Sequence, residues 1–213
     1  IKSILKISNP NLTGLINNGN AKFFLKAARE LGIKIIELQH GDTSELDPVS
    51  SYPKIIEGDH WVADQIFTFG DFWLNRYKQN SKKKSIGNPV FDINKNEHIN
   101  EEAEADSVLC ISVNSENFAK FIFNVSKMDQ SIKYYFKLRD SEYKNWKKNY
   151  PFLKNTENFI VIDNNYHPLY LLIKRCSFVV STISTVIYES LALRTPVIIV
   201  KDYYFPYILL FIQ

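Results

Sequence analysis

The chain has few glycines and few cysteines, and it has no long apolar run. Only 7 of its 213 residues are glycine, and its two cysteines are Cys110 and Cys176. Both lie in apolar stretches typical of buried core residues, and they form neither a disulfide framework nor a Cys-x-x-Cys zinc pattern. This cysteine usage fits a reducing cytoplasm. Without a signal peptide or an 18-residue apolar run, the sequence predicts no membrane span.

The chain also has little excess charge of either sign. The formal net charge is +3, and a dedicated nucleic-acid binder usually has a stronger local basic bias, so we expect no nucleic-acid partner. The one dense basic run, Lys82-Lys83-Lys84, is interpreted as a solvated loop. The alternative is weak attraction to an anionic membrane surface, which keeps peripheral contact with the inner face of the cytoplasmic membrane open.

Common catalytic signatures are absent as well. The sequence contains no Walker loop, no GxGxxG, no GxSxG and no HExxH pattern. Nor does it contain an acidic cluster of the kind that binds metals, so we expect neither a metal nor another cofactor.

Both ends of the chain suggest a fragment. The chain begins on Ile1 rather than methionine and closes on the apolar residues 203–212. The closing segment has two interpretations: a membrane-associating tail, or a helix that packs on the fold or on missing residues. We prefer the second.

What the sequence does have is a regular alternation of short apolar strands with helices of 3.6-residue period. Alternation of this kind predicts βαβ units around parallel sheets, with helices on both faces. The predicted strands are residues 3–7, 33–38, 65–69, 84–86, 107–113, 133–138, 159–162, 178–181 and 196–200. The predicted helices are residues 20–31, 71–79, 116–128, 141–150, 169–175 and 184–193.

A polar, acidic stretch divides this pattern in two. Residues 94–106 are poor in large apolar side chains, as linkers and surface excursions are. The sequence therefore predicts a partial Rossmann-like unit at 1–91, a linker at 92–106 and a second Rossmann-like unit at 107–213.

The strongest candidate site follows the strand that ends near residue 180. Ligands of such sheets bind outside the carboxyl ends of the strands. Ser181, Thr182, Ser184 and Thr185 place four hydroxyls at a helix N-terminus, where free amides favour anions. Glu189 lies one turn later, ~6 Å along the axis, where a carboxylate can accept ribose hydroxyls. The alternative is an ordinary N-cap followed by an exposed glutamate.

A second candidate follows the strand at 133–138. Lys137 and Arg139 share a strand face, and a guanidinium just past a strand end can bind phosphate bidentately. Asp140 or Ser141 would cap the helix that follows.

The loop after the strand at 33–38 contains Gln39, His40, Gly41 and Asp42. His40 could act as a base or donate to a phosphate or sugar oxygen, with Asp42 and Glu45 orienting it. The alternative is a turn histidine bonded to its own loop.

Two further loops contain weaker candidates. Gly70 is expected to permit a tight turn, with Asp71 capping the next helix. His167 lies in the loop at 163–168, which either contacts a nucleotide base or is a turn into a proline-initiated helix.

Five segments follow one another along the chain: Leu38-Gln39-His40-Gly41, residues 63–73, Ile86-Gly87-Asn88-Pro89, residues 184–193 and residues 195–198. In this order they resemble bacterial surface-polysaccharide glycosyltransferases of the GT-B fold, including capsular sialyltransferase-like and teichoic-acid glycerophosphotransferase-like proteins. Arg139 stands where many relatives carry histidine, in a Lys-x-His-Pro sequence. The resemblance implies that His40 projects into a cleft between domains and that Ser184, Thr185 and Glu189 meet the donor nucleotide. It also implies an N-terminal unit that lacks the family's first strand and loop.

The sequence thus predicts an α/β, GT-B-like glycosyltransferase that moves a sugar from a nucleotide-sugar donor to a glycan or lipid-linked glycan acceptor. We expect inversion without a metal, with His40 as base and Ser184, Thr185 and Arg139 stabilising the leaving phosphate. Two alternatives stay open: a nucleotide-sugar 2-epimerase-like enzyme, and a non-catalytic nucleotide- or glycan-binding module. The sequence leaves the oligomeric state open.

Overall fold

The computed structural model describes residues 1–16, 21–41, 62–79, 81–89, 104–182 and 184–200. The chain divides into two compact units, Ile1–Asp92 and Ile93–Gln213. Each unit is built on one parallel sheet with its own hydrophobic core. The predicted α/β class with two parallel-sheet units is therefore confirmed. The predicted linker and its boundaries stay predictions.

The N-terminal unit has a four-stranded sheet of order β1-β2-β3-β4, in which every neighbouring pair is parallel. Its core contains Leu25, Ala28, Ile35 and Ile66, all fully buried. The elements are α1 (Lys2–Ser8), β1 (Leu12–Ile16), α2 (Lys22–Glu30), β2 (Lys34–Leu38), β3 (Gln65–Thr68), α3 (Asp71–Leu74) and β4 (Lys82–Ser85).

Helix α2 ends as the sequence predicts, at a glycine. Gly32 has a φ of 71°, in the left-handed region that glycine adopts without a Cβ clash. Its N–H donates to Arg29 O at 2.9 Å, and the N–H of Ile33 donates to Ala28 O at 3.0 Å. These paired bonds form a Schellman motif, which satisfies the last carbonyls of the helix and turns the chain into β2.

Three predictions for this unit are wrong, and one strand was not predicted. The apolar run at 3–7 is the helix α1 rather than a strand, since short apolar runs do not distinguish the two. Strand β1 was missed because Gly14 interrupts a short apolar stretch. Helix α3 has only four residues, so the predicted helix at 71–79 is too long. The lysine run at 82–84 is the exposed strand β4 rather than a loop.

The C-terminal unit has a five-stranded parallel sheet of order β7-β6-β5-β8-β9. Its core is rich in aromatic side chains, and Phe136 and Phe159 are fully buried with ring centroids 6.0 Å apart. The elements are β5 (Glu104–Ile111), α4 (Glu116–Met128), β6 (Lys133–Lys137), α5 (Trp146–Asn149), β7 (Phe159–Ile162), α6 (Leu169–Arg175), β8 (Cys176–Ser181), α7 (Thr185–Ala192) and β9 (Val197–Ile199).

The predicted helix at 141–150 is mostly turns. Only α5 is helical, and its N-cap is Asn145 without a side-chain cap bond. Asp140 and Ser141 therefore cap no helix, and this prediction is wrong. Within the described parts of both units, no helix is long and apolar enough to span a membrane. The apolar segment at 203–212 lies outside the described residues.

Candidate functional site

The carboxyl ends of the C-terminal unit's strands meet at one edge of the sheet, because all of its strands are parallel. Backbone bonds continue the ladder past the strand ends: Ser112 N–H donates to Lys137 O at 2.9 Å, and Leu138 N–H donates to Ile162 O at 3.0 Å. The loops after β5, β6, β7 and β8 therefore lie side by side along this edge, which is where doubly wound sheets bind ligands.

The start of α7 is formed by Ser184 and Thr185. Ser184 is the N-cap in extended conformation, and its Oγ accepts from the N–H of Val186 at 3.3 Å. Its hydroxyl is therefore a conventional cap, as the alternative interpretation predicts. Both Ser184 and Thr185 are half-buried and remain partly accessible at the start of the helix.

Ser181 and Thr182 precede this helix at the end of β8. Ser181 is fully buried, and its Oγ donates to Ile111 O on the neighbouring strand β5 at 3.4 Å. That hydroxyl points into the fold, where it stabilises the pairing of β8 with β5 and is not accessible to a ligand. Thr182 is 5% exposed. The four hydroxyls of the sequence pattern thus have different environments, and Ser184 and Thr185 are the accessible ones.

Glu189 lies one turn behind the start of α7. Its side chain is half-buried and has no hydrogen-bond donor among the described residues. Burial raises the pKa of its carboxyl above the ordinary glutamate range. Burial and the charge of Glu189 together raise the pKa of Tyr170 to about 12. Titratable groups with shifted pKa values cluster at functional sites, although structural groups show such shifts too.

Lys137 at the end of β6 is directed inward. Its side chain is 6% exposed, and its ammonium donates to the Tyr143 hydroxyl, to Asn164 O at 2.8 Å and to Asn165 Oδ1 at 3.0 Å. Burial lowers its pKa, an effect partly offset by Asp140 and Asp163. An ammonium has three protons, so all of them already have protein acceptors. Lys137 fixes the loop after β7.

Arg139 follows β6 and is exposed. Its Nε donates to Ser112 O at 3.1 Å, and its backbone N–H donates to the carboxylate of Glu142 at 2.7 Å. In the described part of the chain, its terminal NH2 groups have no protein acceptor. The guanidinium is thus anchored at one nitrogen and open at the other two. Glu142, which the sequence patterns did not indicate, is 2% exposed.

The loop after β7 is held by its own polar contacts. Trp146 Nε1 donates to Asp163 Oδ2 at 2.8 Å, and Asn165 Nδ2 donates to Asp140 Oδ1 at 3.1 Å. His167 is exposed, and Pro168 is the N-cap of α6 rather than its first residue. The predicted turn into a helix that begins near this proline is present.

In the N-terminal unit, the end of β2 contains the predicted Gln-His-Gly sequence. Gln39 is buried; its Nε2 donates to Gly41 O at 2.8 Å, and its Oε1 accepts from Phe69 N–H at 2.8 Å. Gln39 therefore joins the ends of β2 and β3. His40 is exposed and bonds no other described residue, so it is not held to its own loop by a described contact. Asp42 and Glu45 lie outside the described residues.

Gly70 and Asp71 differ from their predicted roles. Gly70 has a φ of 178°, an extended conformation open to any residue, and a Cβ added there meets nothing within 4 Å. Gly70 itself is the N-cap of α3, while Asp71 is the first helical residue and makes no side-chain cap bond. The tight turn and the aspartate cap are therefore both wrong.

No group of three or more histidine, cysteine, aspartate or glutamate side chains converges within the described ranges.

The fold is similar to several solved structures. UDP-N-acetylglucosamine 2-epimerase from Rickettsia bellii aligns with a TM-score of 0.64 at 16% identity, over 92% of this chain and 57% of that one. The UDP-GlcNAc 2-epimerase from Neisseria meningitidis bound to UDP-GlcNAc aligns with a TM-score of 0.66 at 14% identity, over 94% and 62%. Spinosyn rhamnosyltransferase SpnG complexed with thymidine diphosphate aligns with a TM-score of 0.59 at 10% identity, over 95% and 56%.

These similarities confirm the predicted Rossmann-like GT-B fold. The chain spans about three fifths of the length of the structures that it matches. No protein-family model matches the chain, and no curated protein matches its sequence.

Proposed function

We propose that the C-terminal unit binds the nucleoside diphosphate of a nucleotide sugar, and that the protein is a glycosyltransferase acting on a surface-polysaccharide acceptor. The observation that carries the proposal is Glu189, a half-buried carboxylate without a described hydrogen-bond donor, one turn behind the start of α7. A ribose with two adjacent hydroxyls would supply the missing donors.

The position of Glu189 fits a nucleotide. The start of α7 lies ~6 Å ahead of it along the helix axis. Helix starts have free backbone N–H groups and a positive dipole end, which together favour phosphate oxygens. In a nucleoside diphosphate the ribose is joined directly to the phosphates, so the two groups can occupy these two neighbouring positions. Its phosphates would lie at Ser184 and Thr185, and its ribose would lie at Glu189.

Arg139 would add a cation at the same edge of the sheet. Its terminal NH2 groups are exposed and have no described acceptor, and guanidinium groups bind phosphate oxygens bidentately. Lys137 and Ser181 are assigned to the structure of the site, because their polar atoms already have protein partners.

The proposed reaction is an inverting transfer without a metal. The acceptor hydroxyl oxygen attacks the anomeric carbon, the bond from that carbon to the phosphate oxygen breaks, and the electron pair leaves with the diphosphate. His40 takes the proton of the acceptor hydroxyl. The amides of α7 and the Arg139 guanidinium stabilise the charge that develops on the leaving diphosphate.

A nucleotide-sugar 2-epimerase is the second candidate, favoured by the solved epimerases that share the fold. The two activities differ in product. An epimerase converts UDP-N-acetylglucosamine to its 2-epimer without an acceptor, whereas a transferase releases UDP by transfer or slow hydrolysis. The resemblance to surface-polysaccharide transferases supports transfer.

The test begins with calorimetric titration of the purified chain with UDP, CDP, CMP and GDP. Binding of at least one nucleotide is expected, and binding of none would overturn the proposal. The matching nucleotide sugar is then incubated with the chain and with His40→Ala. Donor cleavage that His40→Ala abolishes supports transfer, while epimer formation without cleavage would replace it with the second candidate.

A further inference from the structure

Glu142 has an unusual environment for a residue in a short turn at the surface of an α/β unit. It is buried, and its carboxylate accepts hydrogen bonds from three described donors. Oε1 accepts from Ser112 Oγ at 2.8 Å and from Tyr150 OH at 2.5 Å, while Oε2 accepts from the Arg139 N–H at 2.7 Å. Burying a carboxylate is costly because the charge loses its hydration. A buried carboxylate whose hydrogen bonds are all satisfied can offset that cost and make the surrounding structure rigid.

The geometry that Glu142 fixes is that of Arg139. Glu142 holds the arginine's backbone N–H, and Ser112 O holds its Nε at 3.1 Å. Ser112 is itself bonded to Glu142 through its hydroxyl. The three residues thus form a closed set of contacts that anchors Arg139 at its backbone N–H and at the Nε of its guanidinium. Its two terminal NH2 groups are the part left open.

Strand order places this anchored guanidinium beside the proposed phosphate position. β5 lies between β6, which leads to Arg139, and β8, which leads to α7. The ends of β6 and β8 are therefore two strand spacings apart, roughly 10 Å. Arginine, whose extended side chain reaches across much of that distance, can share a diphosphate with the start of α7.

We propose that Glu142 is a positioning residue, which touches no ligand and acts by fixing the Arg139 guanidinium for the diphosphate of the bound nucleotide. The inference rests on the proposed nucleotide site and names how one of its contacts is preorganised. Fixing the side chain before binding removes part of the ordering entropy that an exposed arginine otherwise loses on contact.

The test compares UDP with uridine, because only UDP carries the diphosphate that Arg139 would bind. Arg139→Ala is expected to weaken UDP about tenfold or more, as loss of a charge-assisted hydrogen bond does, and to leave uridine unchanged. Glu142→Gln removes the carboxylate charge, which weakens the bond that holds the Arg139 N–H, and is expected to weaken UDP selectively in the same way but by a smaller factor. In the Arg139→Ala background, Glu142→Gln should add no further selective loss.

Glu104 provides the matched control. Like Glu142, it accepts three hydrogen bonds. The donors are Lys133 Nζ at 3.0 Å, Tyr135 OH at 2.7 Å and Arg175 Nε at 3.1 Å. It lies at the amino end of β5, opposite the candidate site. Glu104→Gln is expected to lower the thermal unfolding temperature while leaving the ratio of UDP to uridine affinity unchanged.

The outcomes separate the two claims. Failure of the unaltered chain to bind any of UDP, CDP, CMP and GDP would overturn the proposed nucleotide site, and this inference with it. If a nucleotide other than UDP binds, that nucleotide and its nucleoside replace UDP and uridine in the comparison. If the unaltered chain binds UDP, equal losses for UDP and uridine in Glu142→Gln, or no loss, would overturn the inference alone. Should Glu142→Gln not fold, Tyr150→Phe applies the same test, because it removes the 2.5 Å bond to the carboxylate and leaves Arg139 unchanged.

Discussion

Replacing Glu189 with glutamine should make the ligand-free protein more stable and its nucleotide binding weaker. Glu189 is half-buried and has no described hydrogen-bond donor, and burial raises the pKa of its carboxyl. The ionised carboxylate therefore lies where its charge is disfavoured. Glutamine keeps the shape and removes the charge. Functional residues often show this opposition between stability and activity.

The magnitude follows from partial burial. An unsatisfied buried polar group costs about 1–3 kcal/mol, and more when it is charged. Because glutamine remains polar, the substitution recovers only the part due to the charge, and half-burial limits the gain in the free energy of unfolding to about 1 kcal/mol. That gain corresponds to about 2–4 °C in Tm for a chain of this size. UDP affinity should fall about tenfold or more, because a charged hydrogen bond to the ribose is lost.

The stability gain must also depend on pH. Below the ordinary glutamate pKa of about 4.3, the carboxyl is protonated in the folded and unfolded states, and the two proteins should be equally stable. As pH rises, the unfolded state releases its proton first, so the unaltered protein loses stability relative to the variant. The difference becomes constant above the raised pKa of the folded state.

Thermal unfolding at acid and neutral pH, together with titration of UDP, measures all three effects. Glu157→Gln is the control, since Glu157 is exposed in the loop before β7 and should change neither property. A Glu189→Gln protein that is less stable at neutral pH, or that binds UDP as tightly as the unaltered protein, would refute the reasoning.

Four further substitutions test the fold, two in the C-terminal unit and two in the N-terminal unit. Lys137→Met removes three donated hydrogen bonds and should lower the free energy of unfolding by about 1–3 kcal/mol. UDP binding should also weaken, because two of these bonds hold the loop after β7. Unchanged unfolding in denaturant would contradict this. Phe136→Ala should cost about 3–5 kcal/mol, because Phe136 is fully buried against Phe159; a loss under about 1 kcal/mol in urea would count against that packing. Gly32→Ala, at φ 71°, should cost about 1 kcal/mol or more in the same assay, whereas Gly70→Ala, at φ 178°, should be nearly neutral.

The sequence predicts the C-terminal unit better than the N-terminal one. In the C-terminal unit, strands such as β6 and β7 are apolar runs bounded by polar loops, and their period is clear. In the N-terminal unit, α1 and β1 are short and mixed, so local periodicity does not separate helix from strand. Their conformations depend on packing against α2 and β2, which is tertiary information.

Features of the candidate site that depend on spacing along one helix could be predicted from the sequence. The directions of side chains, which depend on contacts with distant segments, could not. The cap at Ser184 and the position of Glu189 follow from spacing along one helix. The inward direction of Lys137 depends on acceptors 27 and 28 residues away in the chain. Glu142 was missed for a related reason: its donors at Ser112 and Tyr150 come from two other segments.

The most direct test of the central claim is a crystal structure of the chain with UDP. The ribose hydroxyls should lie about 2.6–3.2 Å from the Glu189 carboxylate oxygens, with the phosphates at the start of α7. UDP bound elsewhere, or a ribose directed away from Glu189, would contradict the account.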